Sequence, residues 1–143
     1  MISWCAPAAA DGSREGRFGG RPFLAFLPSD EGGAEAADVA VVVFLHGAAH
    51  RGDTVEPLRA DTALRLLVAR TARRPDGPLG PTAVLAPLCA TGTEWSKPPA
   101  LAALSTWLGA ALDARTSALR LDARCVFLTG PSMGGLGAWA WGD

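Results

Sequence analysis

Val39-Ala40-Val41-Val42-Val43-Phe44-Leu45 is apolar at every position. A strand with one face in water alternates apolar and polar residues. An unbroken β-branched run instead suits a strand covered on both faces, as in the middle of a parallel sheet. Parallel neighbours need long crossovers, so such a strand implies a chain alternating strands with helices. The flanking sequence fits. Pro22 to Leu27 reads as a short strand stopped by Pro28-Ser29-Asp30, and Glu31 to Asp38 is an acidic connection. Asp61 can cap a helix whose Leu64, Leu67, Val68 and Thr71 share a face, with Arg70, Arg73 and Arg74 suiting its C-terminal end. Pro75-Asp76-Gly77-Pro78 stops it, and Thr82 to Ala86 is the next strand. Pro98 and Pro99 start a second helix with Leu101, Leu104, Leu108 and Leu112 in one stripe. Asp122 turns the chain into a last strand, Arg124 to Leu128. The fold class expected is α/β: a mostly parallel sheet flanked by helices, with right-handed crossovers. Residues 1–20 lack periodicity and end in Gly19-Gly20, so they read as a disordered tail before a domain over residues 21–143.

The last strand runs into Gly130-Pro131-Ser132-Met133-Gly134-Gly135. This is G-x-S-x-G between a strand and the apolar segment Leu136 to Trp141, the context that exposes a serine hydroxyl on a strained strand-to-helix turn. Gly130 and Gly134 stand where a Cβ would crowd the turn, and Gly135 would let the helix approach the sheet. Two other readings stay open. Gly135, Gly137 and Ala140 satisfy a dinucleotide-binding G-x-G-x-x-G/A pattern, although no strand abuts Gly135 and no ribose-binding acid follows. The motif is also compatible with a plain glycine-rich turn.

The charge balance excludes some functions. With a net charge of -1 and no basic run, the chain shows no footprint for nucleic acid. No apolar run approaches a membrane span, and the N-terminus lacks the positive region of a secretory leader. Cys5, Cys89 and Cys125 have neither disulfide nor metal spacing, so free thiols and a cytoplasmic setting are expected, with no metal and no cofactor.

Taken together, Val41 to Ala48, Arg51-Gly52-Asp53, Pro87-Leu88-Cys89 with Trp95 downstream, and Leu121 to Gly135 resemble the α/β-hydrolases. The resemblance is to the phospholipase/carboxylesterase and predicted-peptidase branch, akin to polyhydroxybutyrate depolymerase-like and feruloyl esterases, and it extends over residues 21–143. It implies a serine hydrolase of carboxylic esters, small or polymeric, working through an acyl-Ser132 intermediate; thioesters and peptides use the same stations. Ser132 would be the catalytic nucleophile. The backbone N–H of Met133 and a second from the His46-Gly47-Ala48 turn, that of Ala48, would form the oxyanion hole. His46 would support its loop, His50 would face solvent, and Asp53 would serve a turn or cap. Trp95, Trp139 and Trp141 would pack, with Trp95 also a candidate to line the substrate's acyl pocket.

In that family the acid and the base of the triad follow the serine. Here both histidines precede Ser132, and Asp143 is the sole acid after it. The resemblance therefore implies the N-terminal half of the fold, truncated after the nucleophile elbow, with self-association through an exposed sheet edge. The alternative function is a catalytically inactive fragment acting as a binding or regulatory module.

Overall fold

The computed structural model describes residues 1–5, 8–28, 37–74, 76–114 and 119–142. Its centre is the apolar run: strand β4 (Ala37–Phe44) lies between β5 (Thr82–Pro87) and β6 (Leu119–Thr129), parallel to both. Its side chains alternate between two cores. Val41 and Val43 pack with Leu104 and Leu108, while Val42 and Phe44 pack with Leu58, Leu64 and Val68. This double coverage explains why residues 39–44 carry no polar side chain.

On one face lie the short helix α1 (Glu56–Arg59) and α2 (Thr62–Arg70), whose N-cap Asp61 accepts the Leu64 N–H at 2.8 Å. Each fully buried leucine here, Leu58 and Leu64, contributes about 1.5–3 kcal/mol by leaving water. On the other face lie α3 (Pro98–Asp113) and α4 (Met133–Gly142). The stripe α3 buries is Ala100, Leu104, Trp107, Leu108 and Ala111, so Leu101 and Leu112 flank the contact.

Three expectations need correction. Residues 1–20 contain strands β1 (Ile2–Trp4) and β2 (Arg14–Phe18), which join β3 (Arg21–Phe26) in the sheet instead of forming a tail. Gly19 and Gly20, with φ of 56° and 80°, are the two-residue turn of the β2–β3 hairpin, where left-handed backbone matches the strand twist. Gly16 lies beneath Phe23, whose ring a Cβ there would meet at 2.3 Å. Small residues that look like low complexity in sequence make room for this aromatic side chain.

The sheet is also mixed rather than mostly parallel. Its order is β1-β2-β3-β5-β4-β6, and β1, β2, β3 and β5 pair antiparallel in succession. A tight hairpin joins β2 to β3, whereas β3 meets β5 antiparallel across the intervening β4, α1 and α2. The turn expected at Asp122 lies inside β6. Leu121 pairs with Val39 and Val126 with Val41, so the intervening residues bulge, and Asp122 accepts the Arg124 N–H at 2.9 Å. Beyond the bulge, Val126 and Leu128 pack toward α3 and α4. Phe127 remains 45% exposed on the edge strand.

Candidate functional site

Strands β4 and β6 end level, with Phe44 opposite Thr129 and the Leu45 N–H bonded to the Thr129 carbonyl at 2.8 Å. The segments that leave them start about 5 Å apart, the spacing of paired strands. The Gly47-Ala48 turn and the Ser132 turn therefore begin as neighbours.

Ser132 is exposed and, among the described residues, is the one non-glycine with positive φ, at 48°. That backbone costs a side-chain-bearing residue about 1–2 kcal/mol, so the surroundings must impose it. They do so through the Leu45 carbonyl. A Cβ on Gly130 would come within 1.9 Å of that oxygen and one on Gly134 within 1.7 Å, so the turn closes around it only because both are glycine. Helix α4 starts at Met133. The close approach expected of Gly135 is present, since a Cβ there would lie 3.0 Å from the Gly130 carbonyl oxygen, and Gly137 makes a closer one: a Cβ there would lie 2.2 Å from the Trp95 Cβ. Gly135 and Gly137 sit within α4, which accounts for them without a dinucleotide.

The turn after β4 is built from hydrogen bonds. His46 is fully buried. Its Nε2 accepts the Cys89 N–H at 3.0 Å and is therefore unprotonated, which leaves Nδ1–H to donate to the Gly47 carbonyl at 2.7 Å. Burial keeps the ring neutral by pulling its pKa below the ordinary histidine value; the Gly47 bond opposes this more weakly. The His46 carbonyl accepts the Trp95 indole N–H at 3.0 Å. Arg51 donates to the carbonyls of Ala48 and Thr93, each at 3.1 Å, and the Gly52 N–H bonds the Cys89 carbonyl at 3.2 Å. Two segments distant in sequence, 46–52 and 89–95, are thus tied into one support. Burial pushes the Cys89 thiol pKa up, which keeps it protonated and unreactive.

Gly47 precedes a single 3-10 turn, Ala48–His50. Among the described residues, neither the Ala48 N–H nor the Met133 N–H makes a hydrogen bond, as befits the first residues of helical turns. The helical turns that follow β4 and β6 thus each begin with an unpaired backbone donor, at Ala48 and at Met133.

The remaining candidates fall elsewhere. His50, expected in solvent, has a buried Nδ1 lying 3.4 Å from the capping carboxylate of Asp61, without the alignment of a hydrogen bond. Asp53 is 88% exposed and pairs loosely with Arg21 at 3.8 Å rather than capping a helix. Trp95 is buried, Trp141 half-buried, and Trp139 is 77% exposed, contrary to its expected packing role. Asp143 lies outside the described residues. Among the described residues no group of His, Cys, Asp or Glu is placed to hold a metal ion, and no helix is long and apolar enough to cross a membrane. The contacts that sequence reasoning missed are Leu45 with Gly130 and Gly134, Gly137 with Trp95, and the Cys89 N–H with His46. All join residues far apart in the chain, where no local motif signals them.

No protein-family model matches the chain, and no curated protein matches it in sequence. Among solved structures it is similar to a thermostable esterase, with a TM-score of 0.53 and 22% identity over 97% of this chain. At that identity the likeness is one of fold: a mixed α/β sheet with flanking helices. The chain spans 36% of the esterase's length.

Proposed function

We propose that this chain carries the nucleophile and oxyanion stations of a serine hydrolase acting on carboxylic esters. The observation that supports this most is the backbone of Ser132, held at a φ of 48° by two glycines closed around one carbonyl. Backbone strain of this kind clusters at functional sites, and a strand-to-helix turn that exposes a nucleophile is one established use of it. In this reading the Ser132 Oγ attacks the ester carbonyl. The tetrahedral oxyanion takes the unpaired N–H groups of Ala48 and Met133, with Gly47 shaping the first turn, and the alcohol leaves. Water then releases the acid from acyl-Ser132. Fixed amide donors of this type are worth about 3 kcal/mol each because they need no reorganisation during reaction. No cofactor enters.

The reaction also needs a general base. His46 cannot serve, since both ring nitrogens are engaged. The base and its orienting acid are assigned to chain following α4, whose packing site is the β6 edge with exposed Phe127, Leu136 and Trp139. The likeness to an esterase of greater length agrees with this assignment. Trp95 enters the reading through its bond to the His46 carbonyl, which fixes the oxyanion turn.

Labelling with a fluorophosphonate probe tests the reading, because the reagent traps an activated serine. Ser132 should label in the protein extended past α4, slowly or not at all in residues 1–143, and never in Ser132→Ala. Absence of labelling in the extended, folded protein overturns the proposal in favour of a binding module.

A further inference from the structure

A second concave site lies along the same rim of the sheet, on the α3 face. It is a groove of about 500 Å³ between β3, the 87–95 segment and α3, within the range of small-molecule sites. Ser132, Met133, Gly47 and Ala48 do not line it, but Cys89 and Trp95, which hold the turn after β4, do. The groove thus adjoins the proposed reaction centre without including its reacting groups, and Trp95 lines a pocket as expected. From Pro99 to Trp107 its helical wall runs about 12 Å.

Its chemistry is lopsided. Arg21 is the one charged residue among those lining it, and Phe23, Leu104 and Trp107 supply apolar wall. The Arg21 side chain is 42% exposed and its guanidinium is held loosely, by bonds of 3.3 and 3.4 Å to the carbonyls of Gly52 and Leu88 and by Asp53 at 3.8 Å. Its remaining N–H groups are available to an acceptor. Trp107 is 6% exposed, and its indole N–H has no partner among the described residues. Both features are donors, and no acidic residue lines the groove. A tail of hydrocarbon ended by an anionic acceptor suits the apolar wall and the Arg21 donors; a cation does not.

We infer that this groove binds a medium-chain carboxylate, its tail against Phe23, Leu104 and Trp107 and its carboxylate on Arg21. The inference goes beyond ester hydrolysis and does not depend on it, since binding is read without turnover.

Decanoate titrated into residues 1–143 below its micellar concentration, followed by calorimetry and tryptophan fluorescence, is the test. Saturable one-to-one binding is expected, with decanol binding about tenfold more weakly because it lacks the charge-assisted bonds. Arg21→Gln should bring decanoate to the level of decanol. Ala103→Trp, placed at an exposed lining position of α3, should abolish binding of both by filling the groove. Ser132→Ala should bind decanoate like the unaltered protein, which separates this outcome from any failure of the hydrolase reading. Absence of saturable binding, equal affinity for decanol, or undiminished binding in Ala103→Trp would each overturn the assignment.

Discussion

The turn after β4 and the turn after β6 are neighbours held in opposite ways. The first is pinned by polar side chains: His46, Trp95 and Arg51 each hydrogen-bond backbone around it. The second is held by what is missing, because Gly130 and Gly134 admit the Leu45 carbonyl and no side chain bonds across the turn among the described residues. A polar network weakens by degrees when one member goes. Steric exclusion fails all at once, since a Cβ is either absent or in the way. The two turns should therefore respond differently to mutation, to pH and to relief of strain.

The largest effect is expected at the glycine turn. Gly134→Ala puts a methyl group 1.7 Å from the Leu45 oxygen, a backbone atom that cannot swing aside. Destabilisation of about 3 kcal/mol in chemical denaturation is expected, as for severe overpacking, together with displacement of Ser132. A loss below about 1 kcal/mol would show that the turn opens easily and would break the contrast.

His46→Leu tests the other turn. The change removes the acceptor of a buried N–H, that of Cys89, and should cost about 2 kcal/mol. A pH signature accompanies it. Because burial lowers the pKa of His46 in the folded state, the unfolded chain binds the proton more readily below the ordinary value of 6.5. This contribution is complete above that pH and is lost as pH falls toward the folded-state pKa. Stability should thus decline on acidification below about 6.5. The His46→Leu protein should lack that part of the slope. An identical slope in both proteins would mean that the ring is not buried neutral.

Much of this architecture was legible because it is local. The Val39 to Leu45 run gave the doubly covered strand, Asp61 gave the α2 cap, and the glycines about Ser132 gave the strained turn. What was hidden depends on partners distant in the chain. Gly16 looks like disorder until the Phe23 ring lies on it, and Gly137 looks like part of a dinucleotide pattern until Trp95 fills the space beside it. Antiparallel pairing of β1 to β3 was missed because short strands with polar and glycine positions carry no clear period. His50 was misread because nothing near it in sequence reveals Asp61 as its neighbour in space. Periodicity reports which face of an element is buried; it does not report which element buries it.

Relief of strain is a smaller and opposite effect. Ser132→Gly removes the Cβ from a residue at φ 48° and should stabilise the protein by about 1 kcal/mol in denaturant, while abolishing the nucleophile. The analogous change in the other turn, Ala48→Gly, relieves nothing, because Ala48 has no positive φ. It should be neutral or slightly destabilising. If both changes stabilised the chain equally, the gain would reflect general loosening and not stored strain at the serine.

The smallest effect is expected on the outer surface of α4, where the two ways of holding the site no longer matter. Trp139 is 77% exposed and Leu136 64%, whereas Gly137 on the inner face of the same helix is pressed against Trp95. In a monomer, Trp139→Ser should shift stability by less than about 0.5 kcal/mol, as for surface positions without partners. Together with the open β6 edge, however, these side chains form the face most suited to pairing with a second copy. Sedimentation velocity across a dilution series decides between the two. If the chain self-associates there, Trp139→Ser lowers the sedimentation coefficient at high concentration and leaves it unchanged when dilute. If the coefficient is independent of both concentration and substitution, the face is bare, and the strain at Ser132 is maintained entirely from the Leu45 side of the turn.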